Sequence, residues 1–494
     1  VSASSPTLKV SGAVAALLGP GLELDGGSIE VPAKTPGTLD VSGCVVTPGL
    51  VNAHHHLLQS AFRTLPGTRG VPMREWLKVM AAAYAHAGHD PELYASAAAV
   101  GAAEGLLCGV TTIADHHLNW PRDASVAETV ELAGATARAA GEVGGRLVFV
   151  RGSAGDEPGW AAASAEAIFD ELVGRGGRGG PGDRGGPGDR GGPGDRGGRG
   201  GPGDRGDPGD PGDRGDPGDR GDPGDRGDPG DPGGGVTADG RLQVAVGPAG
   251  VHSDAMETFA ALADVAARHG LRRRTQANEQ VDTELAVGRY GRRPVDLLEE
   301  WGWLEPDVTI AHLCDITEEE LARLAAAGVS ATHAPGCDVP MGWGIAPVAK
   351  LLDAGVVVGL GTSGGGSNDA GHLLADARLA MQVSALIGPQ LPARTVLGMA
   401  TSGSAAGLGR PELGHLGPGT AGDLCAWDVT GVADAGIEDP LAGLLWGSPG
   451  RRPRHVVVGG SVVVRNYELV LVEEAGLVAR LSERLHRGVG LHRA

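Results

Sequence analysis

Eight strand-like runs separated by helical segments constrain this 494-residue chain more than any other feature. The runs fall at 45–56, 111–117, 147–152, 242–248, 273–279, 308–313, 329–335 and 356–363, rich in Val, Ile, Leu and Thr. Between them lie Ala-, Leu- and Glu-rich stretches with helical spacing, such as 72–87, 125–142, 256–269 and 318–327. Thr317 with Glu320 forms a capping box where the last of these should begin. Strict strand–helix alternation predicts an α/β chain, a closed (β/α)8 TIM barrel.

The two ends have a different texture. Residues 1–46 alternate short apolar runs with Gly and Pro, and Leu424-Cys-Ala-Trp-Asp-Val and His455-Val-Val-Val repeat that pattern near the other end. This predicts a small β-sandwich domain formed from both termini, 1–46 and 405–494, around a barrel at 47–404. An insert at 176–235 interrupts the barrel, with Gly at every third position and Pro, Asp and Arg between. The collagen-like period is compatible with a triple-helical stalk. A solvated repeat expansion in a loop is favoured, because such composition cannot build a core and both ends return to one barrel. The insert is then expected to be poorly ordered and to displace a loop that would cover the barrel's working face.

Composition narrows the partners. The net charge of -20 argues against nucleic acid or an anionic membrane as the main partner. No apolar run approaches the ~20 residues that span a bilayer, and no secretory leader pattern is visible. Cys44, Cys108, Cys314, Cys337 and Cys425 are scattered and odd in number, with no CxxC pair. That suits a reducing cytoplasm better than a disulfide framework.

Chemistry centres on Pro48-Gly-Leu-Val-Asn-Ala-His54-His55-His56-Leu-Leu-Gln59. Side chains alternate along a strand, so His54 and His56 share a face and His55 takes the other. Two imidazoles at a strand end are able to grip one metal ion. Barrel active sites sit at the C-terminal strand ends, where His116, Glu279, His312 and His333 also fall, with Asp115 and His252 placed at the rim. Any one of these is commonly a satisfied structural residue; together at strand ends they predict a working pocket. Gln59, Trp76 and Trp343 are candidate substrate contacts, although Trp more often packs. Arg274 ends an arginine run that reads as a solvated charge cluster or as a fixed cation beside the site.

The motif Val46-Thr-Pro-Gly-Leu-Val-Asn-Ala-His-His-His resembles the amidohydrolase superfamily, in particular its 8-oxoguanine deaminase, triazine hydrolase and related amino-heterocycle deaminase branch. Matching motifs follow in order: Gly109-Val-Thr-Thr-Ile-Ala-Asp-His-His, Glu279 after strand five, Ile310-Ala-His312, Thr332-His333-Ala-Pro, and Gly361-Thr-Ser-Gly-Gly-Gly-Ser-Asn-Asp369. The resemblance implies hydrolytic deamination, or related C–N hydrolysis, of an amino-substituted nitrogen heterocycle. It implies a zinc or iron ion held by His54, His56, a strand-five histidine and a strand-eight aspartate. Glu279 would shuttle protons, and His312 and His333 would complete the catalytic set. His116, Gln59, Trp76 and Arg274 would contact substrate.

Two implied ligand positions are substituted: Gln276 stands for the strand-five histidine and Ser363 for the aspartate. Neutral amide and hydroxyl oxygens are poor partners for such an ion, so weak or absent metal binding is expected. The alternatives are a metal-independent enzyme using Glu279 and the histidines for acid/base chemistry, or a non-catalytic ligand-binding homologue. The expected partner is a small heterocycle, and a homodimer is compatible with the terminal sheet and barrel helices.

Overall fold

The computed structural model describes residues 6–174 and 234–491. The Gly-rich insert, and with it every expectation of its order, lies outside the described residues apart from Gly234 and Gly235.

One parallel sheet forms the barrel. Leu50–His56, Val110–His117, Arg146–Ser153, Leu242–Pro248, Arg273–Ala277, Val308–His312, Ser330–His333 and Val358–Leu360 pair in chain order. A two-residue strand, Ser363–Gly364, then pairs with the first strand and closes the ring. The eighth strand is therefore split. Gly361 sits in the break, where an added Cβ would lie 2.8 Å from His54 Cβ and 2.8 Å from its carbonyl oxygen. Only glycine lets the backbone come this close to the histidine strand.

The strands are buried on both faces, as a parallel barrel wrapped by helices requires; the second and third are buried along their whole length. Helix starts follow the capping chemistry of the sequence. Ser125 and Glu128 cap Val126–Val143 reciprocally, as Thr317 and Glu320 cap Glu318–Ala327. Asp90 caps Pro91–Leu107 through the Leu93 amide.

The barrel interior has an apolar floor and a polar top. Val51, Ala114, Val148, Val150 and Ala245 form one buried cluster with Ala405, Leu408 and Leu413 from the chain after the barrel. Each fully buried aliphatic side chain there contributes about 1.5–3 kcal/mol. Two residues beyond Ala114, on the same strand face, stands His116. The polar side chains thus begin where the floor ends.

The ends of the chain build a second sheet of eight strands. Thr7–Leu18, Glu23–Pro32, Gly37–Asp40 and Cys44–Pro48 join Leu424–Asp428, His455–Val458, Ser461–Arg465 and Glu468–Leu469. Cys44–Pro48 pairs antiparallel with Leu424–Asp428 and parallel with Thr7–Leu18, so it is the seam between the terminal segments. The hydrogen bonds run continuously through one mixed sheet with its own apolar cluster, including Val10, Val31, Val46, Leu424 and Val457. The last helix, Glu474–Leu491, packs on Pro91–Leu107 rather than joining that sheet.

The insert's flanks lie among the described residues, whereas the loop it was expected to displace lies outside them. The insert is bounded by Asp170–Gly174, after helix Pro158–Phe169, and by Gly234 before strand Leu242–Pro248. Gly234 backs onto the His269 carbonyl at the end of helix Met256–His269. This is a helix-to-strand connection, which belongs to the N-terminal face of a barrel, opposite the face that carries active sites. Among the described residues no helix is long and apolar enough to cross a membrane. All five cysteines are free.

Candidate active site

Strand one brings His54 and His56 to the polar top with their ring centroids 4.9 Å apart. His54 also lies 5.8 Å from His116 and 5.2 Å from His312, ring to ring. All four are buried. His56 Nδ1 donates to the His116 carbonyl at 2.7 Å, which leaves Nε2 as its lone-pair nitrogen. Burial pushes His56 down to about 4 and holds His54 well below the usual imidazole range, with His56 adding to the effect. Both are neutral at physiological pH. His55 takes the other face and meets the Thr362 hydroxyl at 2.9 Å.

His312, at the end of strand six, is held from two sides. Its Nδ1 donates to Asp338 Oδ1 at 2.6 Å, and its Nε2 lies 3.1 Å from Gln276 Oε1 and 3.5 Å from Glu279 Oε1. Burial alone would lower its pKa; Asp338 and then Glu279 outweigh burial and raise it. Glu279 is buried with no hydrogen bond to either carboxylate oxygen, and burial pushes its pKa up.

His333 Nδ1 and Asp338 Oδ2 are both buried and unpartnered, 3.8 Å apart. Burial takes His333 to about 4. Asp338 lies in the short helix Pro335–Met341 that follows strand seven. Burial, with Asp338 adding, raises the thiols of its neighbour Cys337 and of Cys314. The backbone is left-handed at Asn278 (φ 55°), His312 (φ 77°), Leu313 (φ 56°) and Ser363 (φ 55°). Non-glycine residues adopt this region at a cost of about 1–3 kcal/mol each, and such strain gathers at functional sites.

Arg274 points into the same interior, two residues before Gln276 on strand five. One of its terminal nitrogens donates to the Ala53 carbonyl, while Nε and Nη1 have no partner. No carboxylate among the described residues offsets its charge. Burial, with Arg272 adding, lowers it to about 9, so it stays cationic at neutral pH.

These residues do not fit the implied dication between strands one, five and eight. His56 is prepared as a ligand, since a carbonyl fixes its tautomer. Gln276 instead turns its amide oxygen to His312, Ser363 is a neutral hydroxyl, and Arg274 places an unpaired charge beside His54. Asp369 offers no substitute: it accepts from the Thr64 amide and pairs with Arg69.

Other expected contacts are engaged elsewhere. Gln59 Oε1 accepts from the Gly366 amide at 3.0 Å and Trp76 Nε1 donates to the Gly366 carbonyl at 2.9 Å, so both fasten the loop after strand eight. His116 lies inside the barrel, its Nε2 donating to the Gly247 carbonyl at 3.0 Å. Asp115 is buried below the rim and accepts from the Leu57 amide at 2.8 Å. His252 pairs with Asp282 at 2.9 Å, which overcomes burial and raises it to about 9. The Trp343 ring stands perpendicular to His312 at 5.3 Å and is half-buried. Asp338 and Cys314 were not singled out from the sequence. The available signal was position: both follow directly on strand ends that carry a histidine.

The amidohydrolase family model matches residues 45–183 and 225–463. This chain belongs to the amidohydrolase family. An 8-oxoguanine deaminase of Pseudomonas aeruginosa is 31% identical over 477 residues, covering 93% of this chain and 91% of that protein. A 5-methylthioadenosine/S-adenosylhomocysteine deaminase of Natronomonas pharaonis is 29% identical, covering 90% and 87%. Among solved structures, a triazine hydrolase variant superposes with TM-score 0.80 at 28% identity, covering 97% of this chain and 99% of that one. The atrazine chlorohydrolase of Arthrobacter aurescens TC1, solved with zinc, gives 0.78 at 28% identity, covering 97% and 100%. This amidohydrolase thus shares the fold of a relative solved with zinc.

Proposed function

We propose that this amidohydrolase hydrolyses the bond between a ring carbon and its amino substituent on a nitrogen heterocycle, with Glu279 moving the protons. The single observation that carries the reading is Glu279: buried, both oxygens free of hydrogen bonds, 3.5 Å from His312 at the strand ends. Burial raises this carboxyl above the ordinary carboxylate range, the direction that suits a group taking up and returning protons in general acid–base catalysis. The relatives named above are deaminases and hydrolases of purine-type and triazine compounds, which supports a planar nitrogen heterocycle as substrate.

Ionised Glu279 takes a proton from water as the water oxygen adds to the ring carbon. The same group passes that proton to the adjacent ring nitrogen. It then carries the hydroxyl proton to the departing amine, which leaves as ammonia, and the ring carbonyl forms. His312, fixed by Asp338, orients Glu279 and the water. His333 and His116 line the pocket, and Trp343 covers it. The barrel at 47–404 is the catalytic domain in this reading, with the terminal segments as a separate sheet domain. Five free cysteines support a reducing cytoplasm.

A metal-independent course is favoured at strand one by Arg274, whose fixed positive charge stands next to His54. The test is ammonia release from a panel of aminopurines and aminotriazines, with product mass measured. A gain of one oxygen and loss of one nitrogen in the product supports hydrolytic deamination. Unchanged compounds across the panel contradict it.

A further inference from the structure

The side chains around Asp338 make a second donor set, separate from the substituted one. His312, Cys337 and Asp338 each bring a ligand atom, and the three atoms lie within 4.8 Å of one another, all buried. Asp338 Oδ2 and His333 Nδ1, each without a hydrogen bond, lie 3.8 Å apart. Ligand atoms around a tetrahedral zinc lie roughly 3.4 Å apart, given bonds of about 2.0–2.1 Å to nitrogen and oxygen. A shared cation would therefore close this orphaned pair with a small movement and satisfy both atoms.

The chemistry of the set differs from that at strand one. With His333 beside Asp338, it holds two imidazoles, a carboxylate and a thiol. Nitrogen, sulfur and carboxylate donors are the combination that divalent zinc selects. The donors also sit on firm supports: His312 and His333 end strands six and seven, and Cys337 and Asp338 occupy one short helix.

We propose that this protein binds one zinc-class divalent cation through His312, His333, Cys337 and Asp338, at strands six and seven rather than at the strand-one histidine pair. Cys337 ligates as the thiolate and His312 through Nδ1, which gives up the proton that it donates to Asp338 in the metal-free chain; both protons pass to solvent. The cation lies beside Glu279, through the shared neighbour His312. Binding at this set does not depend on the hydrolase reading; only its use in turnover does.

The test uses the full chain, stripped with a chelator and titrated with Co(II). One equivalent should bind, with a sulfur-to-cobalt charge-transfer band in the near ultraviolet. Cys337→Ser and Asp338→Asn should lose the band and bind at least tenfold more weakly. The double variant His54→Ala with His56→Ala should keep both. Circular dichroism establishes that each variant is folded, and Cys337→Ala provides a second route if the serine variant is not. Absence of bound cobalt overturns the proposal, as does bound cobalt without the sulfur band, or binding lost with His54 and His56 but kept in Cys337→Ser. Cobalt bound as described in a chain that releases no ammonia leaves this site standing and removes the hydrolase reading. Ammonia release by a chain that binds no cobalt does the reverse.

Discussion

His312 Nδ1 donates to Asp338 Oδ1 across 2.6 Å, with both side chains almost wholly buried. Removing one partner of a buried charged pair leaves the other without compensation, at about 3–5 kcal/mol. Asp338→Ala should therefore lower unfolding free energy by roughly that amount in urea titration of the stripped chain. Asp338→Asn, which keeps the shape and one acceptor, should lose less. Equal, small losses for both would show that the contact contributes little to the fold.

Arg274 makes the opposite prediction. Its charge is buried with one hydrogen bond, to the Ala53 carbonyl, and no carboxylate partner. Replacing buried charge by an apolar side chain of similar volume is often neutral or stabilising by 1–4 kcal/mol, as an order of magnitude. Arg274→Met should melt at or above the wild-type temperature. A clear drop would mean that the guanidinium is held by contacts stronger than that single carbonyl.

The His252–Asp282 pair sets a pH dependence. His252 is raised to about 9 in the fold, against about 6.5 in an unfolded chain. A raised basic group stabilises fully below about pH 6.5, and the contribution disappears as pH climbs through 9. The difference corresponds to roughly 3 kcal/mol. His252→Gln should melt well below wild type at pH 6 and converge with it above pH 9, by calorimetry. A constant gap would remove the ion pair as the cause.

Asp376 titrates with the other sign. Burial raises its carboxyl to about 8, although Asn368 and the Gly336 amide bond to it. The unfolded carboxyl ionises near 3.9, so the folded state binds the extra proton between about pH 4 and 8 and stability falls as pH rises through that window. Asp376→Asn should gain on wild type across it and level off above pH 8. A gap that stays flat from pH 4 to 8 would contradict this.

Much of the barrel was legible because its signals are local. Apolar runs of strand length, the Ser125 and Thr317 caps and the C-terminal placement of His54, His116, Glu279, His312 and His333 need only the sequence and known periodicities. Long-range pairing was less legible. That Gln59 and Trp76 both reach Gly366, roughly three hundred positions away, depends on the loop after a strand split at Gly361, and no spacing rule carries that. The partners of His312 were hidden for a similar reason. Asp338 reaches it from the next strand's helix, and the left-handed backbone at His312 and Leu313 is not written in the local residue types. The joining of the two terminal segments rests on Cys44–Pro48 pairing on both edges, which composition does not encode.

The central claim concerns Glu279, and the most direct measurement compares wild type with Glu279→Gln on the best amino-heterocycle found. Ammonia release should fall about 10²- to 10⁴-fold, while the dissociation constant of the unreacted heterocycle changes less than threefold. Equal release by the two proteins would contradict the assignment of proton transfer to Glu279.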